Sequence, residues 1–487
     1  MDAEMSAVDR LVGVVSARVL AGDDVLRRYG VDGLREFRGF RGGYVVDRIA
    51  VVLPRSTEEV VEVVEAANKL GVPLVPAGGL TGLMGGAMPI TDCVVVDMRE
   101  MKKVLHVSRE DLLVECEAGI TLDELDRTVQ SAGLTVGHDP WTKKYATVGG
   151  CIATNGMGYT AAAYGSMRRQ VLGLEVVLPT GRLLRTRAVE DQSTGPSLTQ
   201  LFVGSEGTLG IITKAVLKLH PTPEERRLQA YRFESFDKGF KAVVEVCSSG
   251  INPSMVEYGE VFNHPSEPTS EPESELFLMF EGPHKLVDAK AALAEEVIQK
   301  HSGVRLEDSR AEEFWSHRHD VADFYVEHVG NTSHHPVWGD VFFDFIHVSL
   351  PASKVLQYKR ETAAVMKRYG LMVLDRGVWN RPGNFSIAFV MERGDDPEKG
   401  LKQLSSAFDE MVILSHRLGG SMEYCHGVGV KLAEYMAGEL GVEGVRTLAE
   451  IKKALDPNNI MNPGKVIPRA EDIIGSAART WHGKNRT

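Results

Sequence analysis

Three glycine-rich clusters in the first half of the chain constrain its fold more than any other feature. They are PAGGLTGLMGG at 76–86, TVGGCIATNGMG at 147–158 and VGSEGTLG at 203–210, each at a junction between apolar segments. Glycine lets a backbone approach a ligand closely or adopt positive φ, and the amides of such loops commonly hold phosphate. Neither the Rossmann spacing nor the Walker A lysine is present. We therefore expect one extended dinucleotide, held by a fold other than these two.

The pattern of apolar runs predicts a protein of mixed α+β or α/β units in four parts. Residues 56–71, STEEVVEVVEAANKLG, have an N-cap serine, acids in the first turn and a terminal glycine, which together indicate a helix between two strands. Pro221 and Pro223 mark a boundary between units. We predict an N-terminal helical segment over 1–44, one mixed unit of strands and helices over 45–222, a second over 223–420, and a C-terminal segment over 421–487.

The composition limits the classes of binding partner and the cellular compartments that we expect for this protein. The net charge of −12 over 487 residues argues against a nucleic acid partner, because phosphate backbones are bound by basic patches. The five cysteines are far apart and form no CxxC pair, as expected for reduced thiols in the cytoplasm. The N-terminus carries acids and no long apolar run, so we expect no signal peptide and no membrane span. We predict a cytoplasmic protein or one peripheral to a membrane.

Four motifs in this order resemble the FAD-linked oxidases of the vanillyl-alcohol oxidase, or PCMH-type, superfamily. They are the three glycine clusters and LDPNNIMNPGK at 455–465. The resemblance covers about 45–220 and 420–466, and is strongest to the branch with D-lactate and glycolate dehydrogenases and alkyl-dihydroxyacetonephosphate synthase. It implies a PCMH-type FAD-binding domain of two α+β subdomains over 45–222, an α+β cap (substrate) domain over the flavin over 223–420, and a C-terminal segment that returns to the FAD domain.

The resemblance also implies which residues bind the cofactor. The loop 76–82 would hold the FAD pyrophosphate, and 138–150 would lie beside the flavin ring. The full predicted set is Pro76, Ala77, Gly78, Gly79, Leu80, Thr81, Gly82, His138, Asp139, Pro140, Thr147, Gly149, Gly150, Thr154, Asn155, Gly158, Tyr164, Gly165, Glu206, Gly207, Ile211, Ile212, Asn462 and Lys465. No histidine lies in or just before the first loop, so we expect noncovalent FAD, with His138 and Cys151 as the residues that a covalent link would use.

Two further stretches resemble the family's catalytic motifs. FWSHRHDVADF at 314–324 contains W-x-x-R, whose arginine, Arg318, would hold a substrate carboxylate; the alternative is an exposed helix with Arg318 paired to Glu312 or Asp320. MEYCHGVGVK at 422–431 places His426 on the histidine of the family's HGxG motif, as the base that takes the hydroxyl proton. Residues that would assist catalysis or bind substrate are Tyr424, His317, Arg376 and Arg381.

The metal-dependent members of the branch differ from this chain in two places. They have a glutamate directly before the motif histidine, where this chain has Cys425, with Glu423 two residues earlier. They also have an H-x-H motif in the cap, and the stretch that corresponds to it, 373–389, contains no histidine. A metal needs its ligand set. We therefore predict no catalytic metal.

Three functions remain open from the sequence. The first is an FAD-dependent oxidation of a D-2-hydroxy acid such as D-lactate, with hydride transfer to flavin N5 and an undetermined electron acceptor. The second is the ether-lipid exchange of alkyl-dihydroxyacetonephosphate synthase, which the metal-free HGVG motif favours. The third is a flavin-binding or electron-transfer subunit without turnover. The expected substrate is a small-molecule carboxylate, and a homodimer through the strand-rich cap is a further expectation.

Overall fold

The structure is a computed structural model that describes residues 5–20, 22–30, 32–33, 46–261, 272–328 and 339–467. Much of the N-terminal segment predicted for 1–44, and residues 468–487 of the predicted C-terminal segment, lie outside the described residues. Within those ranges the chain forms three sheets in sequence order. No helix of the described ranges combines the length and hydropathy that crossing a bilayer requires.

The first sheet ends at the first glycine cluster. Its order is β1-β2-β4-β3, with β2, β4 and β3 parallel and β1 antiparallel to β2. The strands are β1 Arg18–Leu20, β2 Ile49–Leu53, β3 Leu74–Ala77 and β4 Cys93–Asp97, and the helices are α1 Ala7–Val12, α2 Asp23–Tyr29 and α3 Thr57–Leu70. Helix α3 begins where the Ser56 side chain accepts the amide of Glu59 and ends at Gly71, whose φ is 66°. The buried strand β3 therefore delivers the loop 78–86 at its carboxyl end.

The second sheet is antiparallel and carries the other two glycine clusters. Its order is β5-β6-β10-β8-β9, and β7 pairs with the far end of β10. The strands are β5 Val104–Ser108, β6 Leu113–Glu117, β7 Leu134–Val136, β8 Val171–Val177, β9 Leu183–Arg185 and β10 Ile211–Pro221. The helices are α4 Leu122–Gln130, α5 Val148–Thr154, α6 Ala161–Tyr164 and α7 Leu198–Phe202. A capping box between Thr121 and Glu124 starts α4. Helix α5 opens at Thr147, inside the second cluster.

The third sheet forms the middle of the chain and is antiparallel throughout. Its order is β14-β11-β13-β12-β16-β17-β15. The strands are β11 Glu225–Phe233, β12 Met255–Glu260, β13 Ser274–Gly282, β14 Val304–Arg305, β15 Val341–Ser349, β16 Met372–Trp379 and β17 Asn384–Glu392. The helices are α8 Phe236–Ser248, α9 His284–Lys300, α10 Asp308–His317, α11 Asp320–His328, α12 Ala352–Tyr369 and α13 Pro397–Arg417. Its aromatic and aliphatic core continues into the C-terminal segment through buried residues such as Met422 and Leu432. Strand β15, at one edge, lies next to that segment through paired backbone bonds between Ser349 and Ser421.

The C-terminal segment returns to the first sheet. Helix α14, Met436–Leu455, breaks its helical geometry at Gly441 and leads into the turn 456–462. The buried Lys452 ammonium donates to the carbonyl oxygens of Thr208 (2.7 Å) and Met461 (2.6 Å). The amide of Asn462 donates to the Leu74 carbonyl of β3 at 2.8 Å. The turn 456–462 therefore lies against β3, the strand that delivers the first glycine loop.

Candidate functional site

A cavity of about 1270 Å³, its open mouth included, lies where the three glycine clusters meet the C-terminal segment. The predicted residues that line it are Pro76, Ala77, Gly78, Gly79, Leu80, Thr81, Gly82, His138, Pro140, Thr147, Gly149, Gly150, Thr154, Glu206, Gly207, Ile211, Ile212 and His426. The structure thus brings together residues that are far apart in sequence, in the combination that the resemblance implied.

The remaining predicted cofactor residues lie behind the wall of the cavity and support it. Asn155 ends α5 with φ of 52° and accepts the amide of Arg168 on its side-chain oxygen. The Tyr164 ring packs 4.2 Å from the ring of His220, and Gly165 lies against Arg169. A side chain at Gly158 would meet the backbone of Asp139 at 2.5 Å, so these two residues hold neighbouring loops together.

Some lining residues were missed by sequence reasoning. They are Leu83, Met84, Gly86, Ala87, Met98, Ala118, Trp141, Thr142, Ala146, Ala153, Gly156, Met157, Gly210 and Cys425. Cys151 also lines the cavity, and the sequence analysis named it only as a residue for a covalent link. Most are neighbours of predicted residues within the same loops, so extending each motif would have found them. Ala118 had no such signal. It lies at the cavity because Gly149 packs on it, where a Cβ atom would come within 2.9 Å of the Ala118 Cβ.

Gly78 and Gly79 are required by the packing of two loops. A Cβ atom on Gly78 would lie 2.2 Å from the Thr147 hydroxyl oxygen, and one on Gly79 would lie 2.1 Å from the Tyr145 carbonyl oxygen. Both distances are far below van der Waals contact. The glycines therefore let the first loop lie directly against residues 145–147. This close approach is a second reason for the cluster, besides the access of backbone amides to a phosphate.

The side chain of His138 is suited to bind a polar ligand in the cavity. Its side chain is buried on the cavity wall, and within the described residues neither ring nitrogen has a hydrogen-bond partner. Burial lowers the pKa of His138 to about 4, so the ring is neutral and offers one donor and one acceptor. Buried polar groups are normally paired. An FAD molecule in this cavity, with its ring nitrogens and carbonyls, would supply the missing partner.

Glu206 ties the third glycine cluster to the C-terminal motif. Its carboxylate accepts the amides of Val428 (2.6 Å) and Gly429 (3.0 and 2.9 Å). Burial raises the pKa of Glu206 to about 7, against the lowering effect of these amides. A Cβ atom on Gly427, where φ is 82°, would lie 2.6 Å from the same carboxylate. The turn after His426 is therefore fixed by Glu206.

Asn462 and Lys465 reach the cavity from behind. The Asn462 side-chain amide donates to the carbonyl oxygens of Gly86 (2.8 Å) and Glu206 (2.7 Å). The buried Lys465 ammonium lies 3.4 Å from the Asn462 side-chain oxygen. These contacts join the last motif to two loops of the cavity wall.

Arg318 pairs with Asp139, and not with Glu312 or Asp320 as the alternative reading supposed. The Arg318 Nε donates to Asp139 at 3.0 Å, and Nη1 donates to the Trp315 carbonyl at 2.6 Å. The guanidinium lies 3.5 Å over the Trp315 ring. Burial would raise the pKa of Asp139, but His319, Lys143 and Arg318 keep it well below its ordinary value. The pair joins cap helix α10 to the loop beside Pro140.

Arg318 and the other predicted substrate residues lie outside the cavity lining. His317 is exposed at the end of α10 and donates to the Glu313 carbonyl at 2.9 Å. Arg376 is buried inside the cap and forms an ion pair with Glu260. Arg381 donates to the Ala162 carbonyl at 2.9 Å. Arg376 therefore serves the packing of the cap sheet, and Arg381 joins the cap to α6.

His426 lies at the cavity wall beside a cap histidine that the sequence analysis did not single out. Its Nδ1 lies 2.9 Å from the Nδ1 of His347 on β15. The Glu423 carboxylate lies 3.9 Å from the His426 Nδ1 and accepts the amides of residues 424, 425 and 426 at 3.0, 2.7 and 3.0 Å. The Tyr424 hydroxyl is 2.6 Å from the Ser386 hydroxyl, and burial raises the pKa of Tyr424 well above its ordinary value.

The prediction of no catalytic metal rested in part on the stretch 373–389, which contains no histidine. The cap places a histidine beside His426 from another strand, β15. One potential ligand atom each from His347, Glu423 and His426 lies within 4.8 Å of the others. The prediction itself stays untested, because a close pair of imidazole nitrogens also forms by hydrogen bonding alone.

Together these features define an FAD-binding protein with a cap over its cofactor cavity. Residues 49–187 match the protein family described as "FAD binding domain". Residues 222–466 match the family described as "FAD linked oxidases, C-terminal domain". The chain belongs to the FAD-linked oxidases and is an FAD-dependent oxidoreductase, as predicted. The α+β fold class and the resemblance to the FAD-linked oxidases are confirmed.

Relatives of known name cover most of the chain. A mitochondrial D-lactate dehydrogenase (cytochrome) from Arabidopsis thaliana is 30% identical over 86% of this chain and 73% of its own. Glycolate oxidase subunit GlcD from Bacillus subtilis is 28% identical over 86% of this chain and 89% of its own length. Alkyldihydroxyacetonephosphate synthase from Dictyostelium discoideum is 26% identical over 87% of this chain and 74% of its own length. The structure of p-cresol methylhydroxylase with substrate bound has the same fold, with a TM-score of 0.76, 19% identity and coverage of 96% and 97%.

Proposed function

We propose that this protein oxidises a small D-2-hydroxy acid of the D-lactate type. The observation that carries the proposal is the position of His426, on the wall of the FAD cavity and at the contact between the C-terminal segment and the cap. The relatives named D-lactate dehydrogenase and glycolate oxidase support a 2-hydroxy acid as the substrate class. Bound FAD would supply the hydride acceptor of the reaction.

The cofactor is held noncovalently in this proposal. Loop 76–82 and the segment 147–150 would contact the pyrophosphate and the flavin side of the cavity, and His138 would hydrogen-bond the ligand. Cys151 and Cys425 also line the cavity, but burial raises the pKa of both thiols, so neither is an activated nucleophile. Denaturation of the purified protein should therefore release all the yellow colour into the supernatant.

His426 is the proposed base, and Arg318 is the proposed anchor for the substrate carboxylate. A positioned imidazole accepts the hydroxyl proton as hydride leaves the adjacent carbon. The Asp139 contact and the Trp315 ring hold the guanidinium of Arg318 in one plane, and its other N–H groups remain as donors to a carboxylate. Tyr424 is protonated at neutral pH and would donate a hydrogen bond within the site.

The mechanism that we propose uses no metal. His347 and His426 satisfy each other through a direct 2.9 Å contact, and three backbone amides already bind the Glu423 carboxylate. Dialysis against a chelator should therefore leave the rate of flavin reduction unchanged. A rate that falls on dialysis and returns with one divalent cation would refute this part of the proposal.

The test of the reaction is anaerobic and optical. The purified yellow protein is mixed with a panel of D- and L-2-hydroxy acids, and the visible absorbance of the flavin is followed. Bleaching by D-lactate or a close D-2-hydroxy acid, with its L-enantiomer inactive, is the expected result. A flavin that no 2-hydroxy acid bleaches would refute the proposal.

Ether-lipid exchange is the second candidate function. It is supported by the relatives named alkyldihydroxyacetonephosphate synthase, which are 26% and 28% identical over 87% and 90% of this chain. In that reaction the flavin ends each cycle in its starting state. Exchange of an acyl chain for a fatty alcohol on acyl-dihydroxyacetone phosphate, without any electron acceptor, would establish it.

We further propose a cytoplasmic or membrane-peripheral homodimer, which sedimentation and cell fractionation would test.

A further inference from the structure

His347 is a histidine that no motif of the sequence accounts for, yet it faces the proposed base. It lies on the edge strand β15, where it pairs with Ser386 of β17, and its ring centroid is 4.5 Å from that of His426. The Phe345 ring packs 4.9 Å from it on the same face of the strand. Two residues further along, Ser349 is bonded to Ser421 in both directions. The strand therefore holds His347 in a fixed position relative to the segment 421–426.

The contact between the two rings restricts where their protons lie. A neutral imidazole carries one N–H, on either Nδ1 or Nε2. Since the two Nδ1 atoms are 2.9 Å apart, one of them donates and the other accepts. The two neutral rings therefore have opposite tautomers. If His426 donates, its Nε2 is a proton acceptor; if His347 donates, the Nε2 of His426 already carries a proton and cannot act as a base.

The Glu423 carboxylate decides between these two arrangements. Its Oε1 lies 3.9 Å from the Nδ1 of His426, and three successive backbone amides hold it there. A negative charge at this distance stabilises a proton on that nitrogen. We infer that His347 is a positioning residue: it accepts the Nδ1 proton of His426 and thereby leaves the Nε2 of His426 as the proton acceptor. The inference rests on the proposed function only for the use of that Nε2 in catalysis.

Two substitutions of His347 separate this role from simple packing. In His347→Asn the amide oxygen can take the place of the ring Nδ1 and accept the same hydrogen bond. His347→Leu has a similar volume and no acceptor. We expect His347→Asn to reduce its flavin within about tenfold of the wild-type rate. We expect His347→Leu to be slower by about 10²-fold or more, with KM and FAD content unchanged, because a base with the wrong tautomer loses most of its effect.

The direct readout is the tautomer of His426, measured by long-range ¹H–¹⁵N NMR on protein with ¹⁵N-labelled histidine. His426→Gln identifies the signal, and the experiment uses the FAD-bound protein without substrate. We expect Nδ1–H in the wild type and in His347→Asn, and a mixture of both tautomers in His347→Leu. This readout needs no turnover, so it also tests the inference if no hydroxy acid reduces the wild-type flavin and the proposed function fails.

Three results would overturn the inference. The first is an Nε2–H tautomer of His426 in the wild type. The second is equal loss of flavin reduction in the Asn and Leu variants, with no change of tautomer in either, as a purely structural role predicts. The third is a stoichiometric metal ion in the purified protein that shifts the Nδ1 signals of both histidines, because those nitrogens would then be metal ligands.

Discussion

A buried ion pair between Lys431 and Asp344 joins the segment that contains His426 to the cap. The two side chains are 1% and 0% exposed. Lys431 follows the motif of His426, and its backbone amide donates to the Met84 carbonyl of the first glycine loop at 3.2 Å. Asp344 lies on β15, three residues before His347, and also accepts the amide of Phe345 at 2.9 Å. The pair thus joins the first glycine loop, the C-terminal segment and the cap at one point.

Removing one charge of this pair should be far more costly than removing both. A buried carboxylate that loses its cation costs about 3–5 kcal/mol, or roughly 10²–10⁴-fold in the folding equilibrium. We expect that cost for Lys431→Met, whose side chain can keep the packing of the lysine stem on the Phe408 ring, 4.2 Å from the ammonium. Asp344→Asn should cost a similar amount. The double variant should lie within about 2 kcal/mol of the wild type.

The assay is equilibrium unfolding of the apo-protein in urea, followed by circular dichroism, for the wild type, both single variants and the double variant. The coupling energy of this double-mutant cycle should be several kcal/mol. Additive losses in the double variant would refute the reasoning. They would mean that each side chain is held by other neighbours and that the pair does not join the cap to the segment.

Four further predictions concern the site. His426→Ala should slow flavin reduction by about 10²–10⁴-fold with FAD still bound; stopped-flow spectra measure both, and loss of FAD would make His426 a cofactor ligand. Arg318→Lys should raise KM for the acid substrate with little change in kcat, because lysine cannot keep the fork geometry or the stacking on Trp315; an unchanged KM would remove Arg318 from the substrate site. Gly79→Ala should abolish FAD binding in a fluorescence titration, since its Cβ would lie 2.1 Å from a backbone oxygen; wild-type affinity would show that the loop adapts. Glu206 has a pKa of about 7 when folded against 4.5 ordinarily, so the folded apo-protein keeps a proton that the unfolded chain releases. From pH 4.5 to 7 the free energy of unfolding should therefore fall, by up to about 3 kcal/mol relative to Glu206→Gln; a difference between the two that does not change with pH would contradict this.

The parts of the site that the sequence could predict are those with local signals. The capped helix α3 and the glycine loop after β3 follow from residues within one short window, and the cavity forms where such windows meet. For these two features the chemistry of a few adjacent residues, a capping serine or paired glycines, determines the local backbone. The return of the C-terminal segment was implied only by the resemblance of its motif to the FAD-linked oxidases.

The parts that could not be predicted depend on distant pairings. Asp139 and Arg318 are 179 residues apart, and Arg376 and Glu260 are 116 apart, so nothing near any of these arginines reveals its partner. His347 is the one histidine of β15, a strand of mostly apolar residues. Only the sheet order, with β15 at the edge next to Ser421, brings it to His426. Edge position is a property of the whole sheet and leaves no trace in the strand itself.

The contact from Asn462 to Gly86 has a consequence for biosynthesis. The two residues are 376 positions apart, so the cofactor site lacks part of its frame until residue 462 has left the ribosome. At about 5–20 residues per second, the first glycine loop waits roughly 20–75 s for its last partner. During that interval the nascent N-terminal sheet exposes the strand end that Asn462 later covers. Trapping of FAD by the growing chain should therefore begin only after residue 462 has left the ribosome, and a chain truncated before residue 462 should be colourless.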